Sequence, residues 1–320
     1  MIQLINPYNK QILIEKNDGL YEGEQLKFPY LNGAFRLTQE PNYTDNFGLE
    51  WNEFQKTQID KFSGKDLSQK RFFAQSGWTP EKLKGKNILE VGSGAGRFSQ
   101  IVLDHTEANL YSVDFSNAVE ANYRNNGSNP RFKLFQASIY ELPFEKESFD
   151  YVFCFGVLQH TPDFKKSVQS LIAMVKKGGE IAVDFYPIRG FYTKIHAKYL
   201  LRPFTRNMDN ARLMKLIRRN VGWMTSLTRT FNKIGIGKIT NRFIPICDIE
   251  GTIPKNLSKE QQKEWIILDT FDMFSPKYDD PQKISTVARW FEEFGLKDIQ
   301  AGFINYADGF EAAVVKGVKP

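Results

Sequence analysis

The chain has 320 residues, of which 41% are hydrophobic and 25% charged, enough for a large buried interior; no apolar run of bilayer length and no charged-then-apolar leader occurs, so a membrane span and a secreted class are not expected and the cytoplasm is. Two cysteines, Cys154 and Cys247, are too few for a disulfide framework or a cysteine-based zinc site, and no metal is expected. The net charge of +6 is uneven, because residues 188–242 hold 13 Lys or Arg against the single acid Asp209, a local +12, while the other 265 residues carry 30 against 36.

Residues 1–40 contain short strand-like pieces broken by the turn signals Asn6-Pro7 and Asp18-Gly19. The run LINPYNKQIL, followed by DGLY and LKFPYLNGAFRL, resembles a small zinc ribbon, but Asn6 and Asn9 stand where ribbons carry cysteines. Residues 1–45 are therefore expected to form a small metal-free β module. Residues 46–84 read as two helical segments around a polar linker at 63–66. Trp51, Phe54 and Ile59 are spaced to share one apolar face, and Phe72 and Phe73 supply the other.

The stretch NILEVGSGAGRFSQ, residues 87–100, reads as strand, tight turn and helix. Glycines in such a turn let a ligand lie against the backbone, and the next helix points free N–H groups at it. Dinucleotides and S-adenosylmethionine both use this device. The dinucleotide spacing G-x-G-x-x-G would put its third glycine at Arg97, whereas here Gly92, Gly94 and Gly96 alternate, with Glu90 two residues before the first. Strand and helix then alternate as in a doubly wound α/β domain. The strand at 109–114 ends on Asp114, 22 residues beyond Gly92, where nucleotide-binding units place the acid that meets ribose hydroxyls. A strand at 131–137 precedes SIYELPFEKESFDYVFCFGVLQHTPD. In that segment His160 falls at the carboxyl end of the next strand, 151–157, ahead of the helix-start signals Thr161, Pro162 and Asp163. The next helix is expected to end at Lys176-Lys177-Gly178-Gly179, before a strand at 180–186.

The string E-V-G-S-G-A-G, the E-L-P-F and S-F-D segments and K-K-G-G-E-I-A-V together resemble the class I S-adenosylmethionine-dependent methyltransferases, strongly over residues 85–186 and moderately over 268–318. The resemblance implies a Rossmann-like seven-stranded sheet with a C-terminal antiparallel hairpin, S-adenosyl-L-methionine as cofactor, and residues 46–84 as a lid. It implies that Glu90, Gly92, Gly94 and Gly96 shape the methionine side of the pocket and that Asp114, with Phe115 beside it, takes the ribose. Ser138 and Ile139 would meet the adenine edge, and Phe155 and Gln159 would lie near the methyl. Many members carry an acid where this chain has Ser138. His160 is the candidate general base, since imidazole titrates near neutrality.

From Pro187 the alternation halts. Residues 188–264 are expected to be a basic, mainly helical substrate insertion, with an amphipathic helix over 210–221, and residues 265–320 complete the α/β core through a helix at 284–294, strands at 296–305 and 310–318, and an Asp308-Gly309 turn. A basic field of this size concentrates anions. The expected acceptor is a small or carrier-attached anionic molecule methylated at oxygen or nitrogen. With D-N-F-G-x-E-W in front and D-x-F-S-P-K-Y behind, the chain looks like bacterial methyltransferases of surface-glycan or secondary-metabolite pathways. Peripheral contact with an anionic surface is a further expectation. No RNA-binding module is recognisable, so nucleic acid is not the expected partner; an RNA methyltransferase and a non-catalytic nucleoside binder are the alternatives.

Overall fold

The computed structural model describes residues 2–38, 42–307 and 309–320; Asp308 of the expected C-terminal turn lies outside the described residues. Twelve strands form one sheet: β1 (Leu4–Ile5), β2 (Ile12–Lys16), β3 (Gly19–Glu22), β4 (Gln25–Leu31), β5 (Ala34–Arg36), β6 (Asn87–Val91), β7 (Asn109–Asp114), β8 (Phe132–Gln136), β9 (Phe149–Cys154), β10 (Val175–Phe185), β11 (Lys297–Ala307) and β12 (Phe310–Val318). Their order is β1-β2-β3-β4-β5-β8-β7-β6-β9-β10-β12-β11. The run β8-β7-β6-β9-β10 is parallel, and β12 lies antiparallel between β10 and β11. This is the doubly wound sheet with a closing hairpin. Strand order reverses between β6 and β9, and crevices for ligands open at such a point, beyond the carboxyl ends of the strands.

The central strands are buried on both faces, which is why they read as apolar runs. Leu89, Val113, Val152 and Val183 face the helices Phe164–Met174 and Ile284–Glu293, while Ile88, Leu110, Phe153 and Ala182 face Arg97–His105 and the aromatic side of Leu67–Ser76. Neighbours in sequence thus go to opposite cores, as a period of two requires. A third core joins Phe54 to the insertion through the helices Asn210–Lys233 and Lys259–Phe274. Among the described residues no helix is long and apolar enough to cross a membrane.

The N-terminal meander extends this sheet. β5 pairs in parallel with β8, and Leu4, Leu13, Leu20 and Phe35 share the main core. The turn where a zinc ribbon would place cysteines is held by hydrogen bonds: the Asn6 and Asn9 amides both donate to the Glu22 carboxylate, at 2.9 and 3.0 Å.

Local boundaries differ from the sequence expectation in four places. The lid helix Asp45–Glu53 stops before Phe54, so Trp51 and Phe54 do not share a continuous face with Ile59. Asp163, not Thr161, caps the following helix by accepting from Lys166 N–H, and Thr161 instead donates to Leu158 O. That helix ends at Met174, and Lys176 to Gly179 belong to a bulged extension of β10 held by the C-terminus, with Gly178 N–H donating to Lys319 O. The insertion helix runs to Lys233, because its apolar face continues through Met224, Leu227 and Phe231.

Candidate active site

A cavity of about 560 Å³ opens at the carboxyl ends of the parallel strands, roofed by the lid and the insertion. Its floor is the glycine turn. Gly92, Gly94 and Gly96 all have positive φ, +83°, +52° and +85°. A Cβ on Gly92 would stand 2.2 Å from the Val157 side chain, and one on Gly94 would meet the Trp51 indole of the lid at 3.0 Å. The turn is tied to the next strand, because Gly92 N–H donates to Val113 O and Gly94 N–H to Asp114 Oδ2 at 2.8 Å.

Seven of the eleven residues expected in the site line this cavity: Gly92, Gly94, Asp114, Phe115, Ile139, Phe155 and His160. The other four do not. Gly96 packs its α-carbon against the buried amides of Asn122 and Asn126. Glu90 lies beneath the turn, where its Oε2 accepts from Ser99 Oγ and Ser112 Oγ. Burial pushes its pKa up to about 7 against the pull of those hydroxyls. Ser138 turns back on its own loop, its Oγ accepting from Tyr140 N–H. Gln159 is fully buried and donates to Gly156 O. After strand β8, Ala137 and Ile139 face the cavity, and Tyr43 from the lid side packs on Phe115 with ring centroids 5.2 Å apart.

His160 closes the turn Leu158–His160 and is 5% exposed. Its Nδ1 lies 3.1 Å from the Tyr278 carbonyl oxygen. A carbonyl only accepts, so Nδ1 carries the proton and the neutral ring bears its lone pair on Nε2. Among the described residues Nε2 has no hydrogen-bond partner, and Asp272 Oδ1 stands 3.8 Å away. Phe47 and Tyr186 pack on the ring at 5.2 and 5.6 Å. Burial lowers the His160 pKa; the charges of Asp272 and Asp279 oppose this and Lys198 reinforces it.

Asp272 is one of three neighbouring carboxyl groups, with Glu50 and Asp269, in the wall of the cavity. Glu50 is fully buried and neither of its oxygens has a partner among the described residues. Asp269 and Asp272 stand three residues apart on one helix and so share a face. Tyr186 O–H donates to Asp272 Oδ2 at 2.8 Å and the Gln58 amide to Asp269 Oδ1 at 3.1 Å. Burial, helped by the charges of Asp272 and Asp269, pushes Glu50 well up; burial and Asp272 push Asp269 to about 7. Most cations of the cavity wall, by contrast, are already matched: Arg71 pairs with Asp184 at 2.6 Å, Lys198 with Asp279 at 2.7 Å, and Arg189 with Glu311. Arg97 donates to Ser68 and Gln58, and burial together with nearby Arg71 lowers its pKa to about 10.

Residues 89–183, which include the glycine turn and the turn that carries His160, match the family model described as "Methyltransferase domain". The chain carries a class I S-adenosylmethionine-dependent methyltransferase domain. The chain is 25% identical over 174 residues to phosphoethanolamine N-methyltransferase 2 of Caenorhabditis elegans, covering 50% of this chain and 39% of that one. It is 30% identical over 101 residues to a ubiquinone biosynthesis O-methyltransferase of Coxiella burnetii, covering 31% and 43%. The chain thus spans about two fifths of the length of these curated relatives. A solved phosphoethanolamine N-methyltransferase 1 of Haemonchus contortus, in complex with phosphoethanolamine and S-adenosylhomocysteine, aligns with TM-score 0.35 and 17% identity over 44% of this chain and 32% of that one.

The methyltransferase domain's lining fits the cofactor. The Asp114 carboxylate already accepts from Gly94 N–H, Ser116 N–H and Ser116 O–H. A carboxylate has about four acceptor positions, so one remains for a hydroxyl such as that of ribose. Burial raises the Asp114 pKa, and those three donors hold it down. Ser93 Oγ in the turn is buried without a partner among the described residues, and Phe115, Ile139 and Tyr43 form an apolar slot for a flat base. Tyr43, Glu50, Asp269, Asp272 and Tyr278 escaped the sequence reading as site residues. Glu50 and Tyr278 sit inside the D-N-F-G-x-E-W and D-x-F-S-P-K-Y segments, and that was the available signal.

Proposed function

We propose that the protein transfers a methyl group from S-adenosylmethionine to an oxygen or nitrogen of a small acceptor, with His160 as general base. The observation that carries this reading is the His160 ring, whose Nδ1–H is fixed on Tyr278 O while Nε2, at the cavity wall, has no partner among the described residues. Bound S-adenosylmethionine supplies a methyl group activated by its sulfonium. Gly92, Gly94, Asp114, Phe115 and Ile139 hold the cofactor; His160 Nε2 takes the acceptor's proton; Asp272 at 3.8 Å stabilises the imidazolium that results. Phe47, Phe155 and Trp51 cover this end of the cavity and exclude water, and an oriented nucleophile in a dry site gains from proximity.

The free groups also bear on the acceptor. Beside His160 stands an acceptor, Asp272, and Glu50 in the same cavity is held towards its neutral form, able to donate as well as accept; both suit a hydroxyl or amine head. The insertion carries exposed cations, Arg206, Arg212 and Lys215 among them, that have no ion-pair partner among the described residues and lie outside the cavity lining, which suits an acceptor whose anionic part, or attached carrier, stays outside the cavity. Phosphoethanolamine, named for one relative, combines an amine and an anion in this way; a glycan or secondary-metabolite intermediate on a phosphate-bearing carrier does so too. Isothermal calorimetry with S-adenosylmethionine and S-adenosylhomocysteine is the primary test. Binding of both is expected, and folded protein that takes up neither refutes the reading. A screen of hydroxyl- and amine-bearing acceptors with methyl-labelled cofactor then identifies the atom that is methylated.

A further inference from the structure

The helix Ala197–Thr205 has its polarity reversed. Its charged residues point inwards, Lys198 and Arg202 being 8% and 6% exposed around the buried Asp279, while Leu200 and Phe204 stand 60% and 74% exposed on the outer side. A water-facing helix puts its charges out, so this outer face is built for something apolar. It does not stand alone. Arg242 donates to the carbonyls of Tyr192 and Ile195, at 2.5 and 3.2 Å, and so fastens the segment carrying Ile239 and Phe243 to the start of this helix. Ile239, Phe243 and Ile195 are 72%, 54% and 49% exposed. The insertion also bears Arg206, Arg212, Lys215, Arg219, Lys233 and Lys238, all exposed and none in an ion pair among the described residues. On Asn210–Lys233 the exposed Leu216 and Trp223, seven residues apart on one stripe, lie beside Arg212 and Arg219.

We propose that this face docks on an anionic lipid bilayer, with the outer side of helix Ala197–Thr205 lying in the headgroup plane. Large apolar side chains interleaved with unpaired cations are what an anionic membrane surface rewards, and they demand no matching shape from the partner. The charge distribution agrees: +12 over residues 188–242 against −6 over the rest turns this side of the molecule towards a negative surface. The same segment lines the cavity with Arg189, Thr193, His196 and Tyr199, so docking would set the cavity mouth against the lipid. The docking surface stands independently of the methyl-transfer reading; only a lipid-borne acceptor would rest on that reading.

The test is flotation of the full chain with phosphatidylcholine vesicles, with and without about one third phosphatidylglycerol. Partition onto the anionic vesicles and release by salt are expected, with little on the neutral ones. Leu200→Ser with Phe204→Ser, and separately Arg206→Glu with Lys238→Glu, should each cut partition by about tenfold or more. Unchanged thermal unfolding and cofactor calorimetry in these variants confirm that the surface alone has changed. Folded wild-type protein that ignores both vesicles, binds both equally, or binds with undiminished affinity in both variants overturns the proposal. So does a wild-type dimer that Leu200→Ser with Phe204→Ser turns into a monomer while vesicle binding stays absent, because the face would then join two copies of this chain. Vesicle binding without cofactor binding would instead refute methyl transfer and leave the docking face standing.

Discussion

Replacing Asp272 with asparagine tests the electrostatics of the candidate base without any knowledge of the acceptor. Burial lowers the His160 pKa, and Asp272 is the foremost charge acting against it. At 3.8 Å the Coulomb attraction between an imidazolium and a carboxylate is worth roughly 1 kcal/mol with the screening of bulk water and roughly 4 kcal/mol at an effective dielectric constant of 20. Even the lower figure corresponds to most of a pH unit. Asp279, Lys198 and the Tyr278 carbonyl still face the ring, so Asp272→Asn removes only the Asp272 contribution. The assay is a proton–carbon NMR titration of the histidine ring signals. With only His105, His160 and His196 in the chain, single substitutions assign all three. The wild-type His160 midpoint should fall below 6.5 and drop further in Asp272→Asn. Folding follows with a definite sign: a histidine whose folded pKa is depressed costs stability as pH falls below the unfolded value, so the His160 contribution to stability, isolated from that of the buried carboxyls by comparison with a His160→Gln variant, should decline below pH 6.5 and level off once the folded ring itself takes up the proton. A His160 midpoint at or above 6.5, or one that stays put or rises in Asp272→Asn, refutes both the tautomer assignment and the role of Asp272.

Asp114→Asn removes the charge from the ribose acceptor, and the loss of a charge-assisted hydrogen bond of about 1.5–3 kcal/mol should weaken S-adenosylmethionine binding by about tenfold to a hundredfold in calorimetry. An unchanged dissociation constant would remove Asp114 from the site. Gly96→Ala would set a Cβ 2.2 Å from Asn122 Oδ1 and Asn126 Nδ2 at a φ of +85°, so a loss of about 2 kcal/mol or more in urea unfolding is expected, and a neutral effect contradicts the packing described. Glu90 titrates at about 7 in the fold against 4.5 as the free group. Its burial therefore costs nothing below pH 4.5 and about 3 kcal/mol once it is ionised above pH 7. Glu90→Gln should gain on the wild type by about that amount between pH 5 and pH 8, and a pH-independent difference would place Glu90 outside the buried network.

The cofactor half of the site was legible because its signals are local. The turn needs positive φ at three alternating positions, and only glycine takes these without strain, so the sequence prints them. Asp114 ends a strand whose length and apolar run are equally plain. Glu90 does not line the cavity, and its placement was not legible because a strand-end acid next to a glycine turn looks the same whether it faces the ligand or the helix behind it; the hydroxyls that bond it, Ser99 and Ser112, lie nine and 22 residues away. Ser138 was equally hard to place, as its hydroxyl bonds within its own turn. The acceptor half was hardly legible at all. Glu50, His160, Asp269 and Asp272 come from the lid, the core and the helix returning from the insertion, and only tertiary packing brings them together. The reversed polarity of helix Ala197–Thr205 was hidden for a related reason, since the partner of Lys198 and Arg202 is Asp279, more than seventy residues on.

That distribution has a mechanistic consequence. The turn bearing His160 belongs to the cofactor domain, but both groups that define its protonation, the Tyr278 carbonyl and Asp272, arrive with the chain as it comes back from the insertion. The same returning chain is pinned to the lid, where Asn46 donates to Ser275 Oγ and Gln58 to Asp269. If the insertion loosens, His160 loses the carbonyl that fixes its proton on Nδ1, and Asp272 no longer stands by to stabilise the imidazolium. On the proposed reading, the base is competent only while lid, insertion and core are closed on one another, the arrangement that would also exclude water from around the activated methyl group. Coupling base orientation to closure in this way would let a protein of this design hold a reactive cofactor without spending it on solvent.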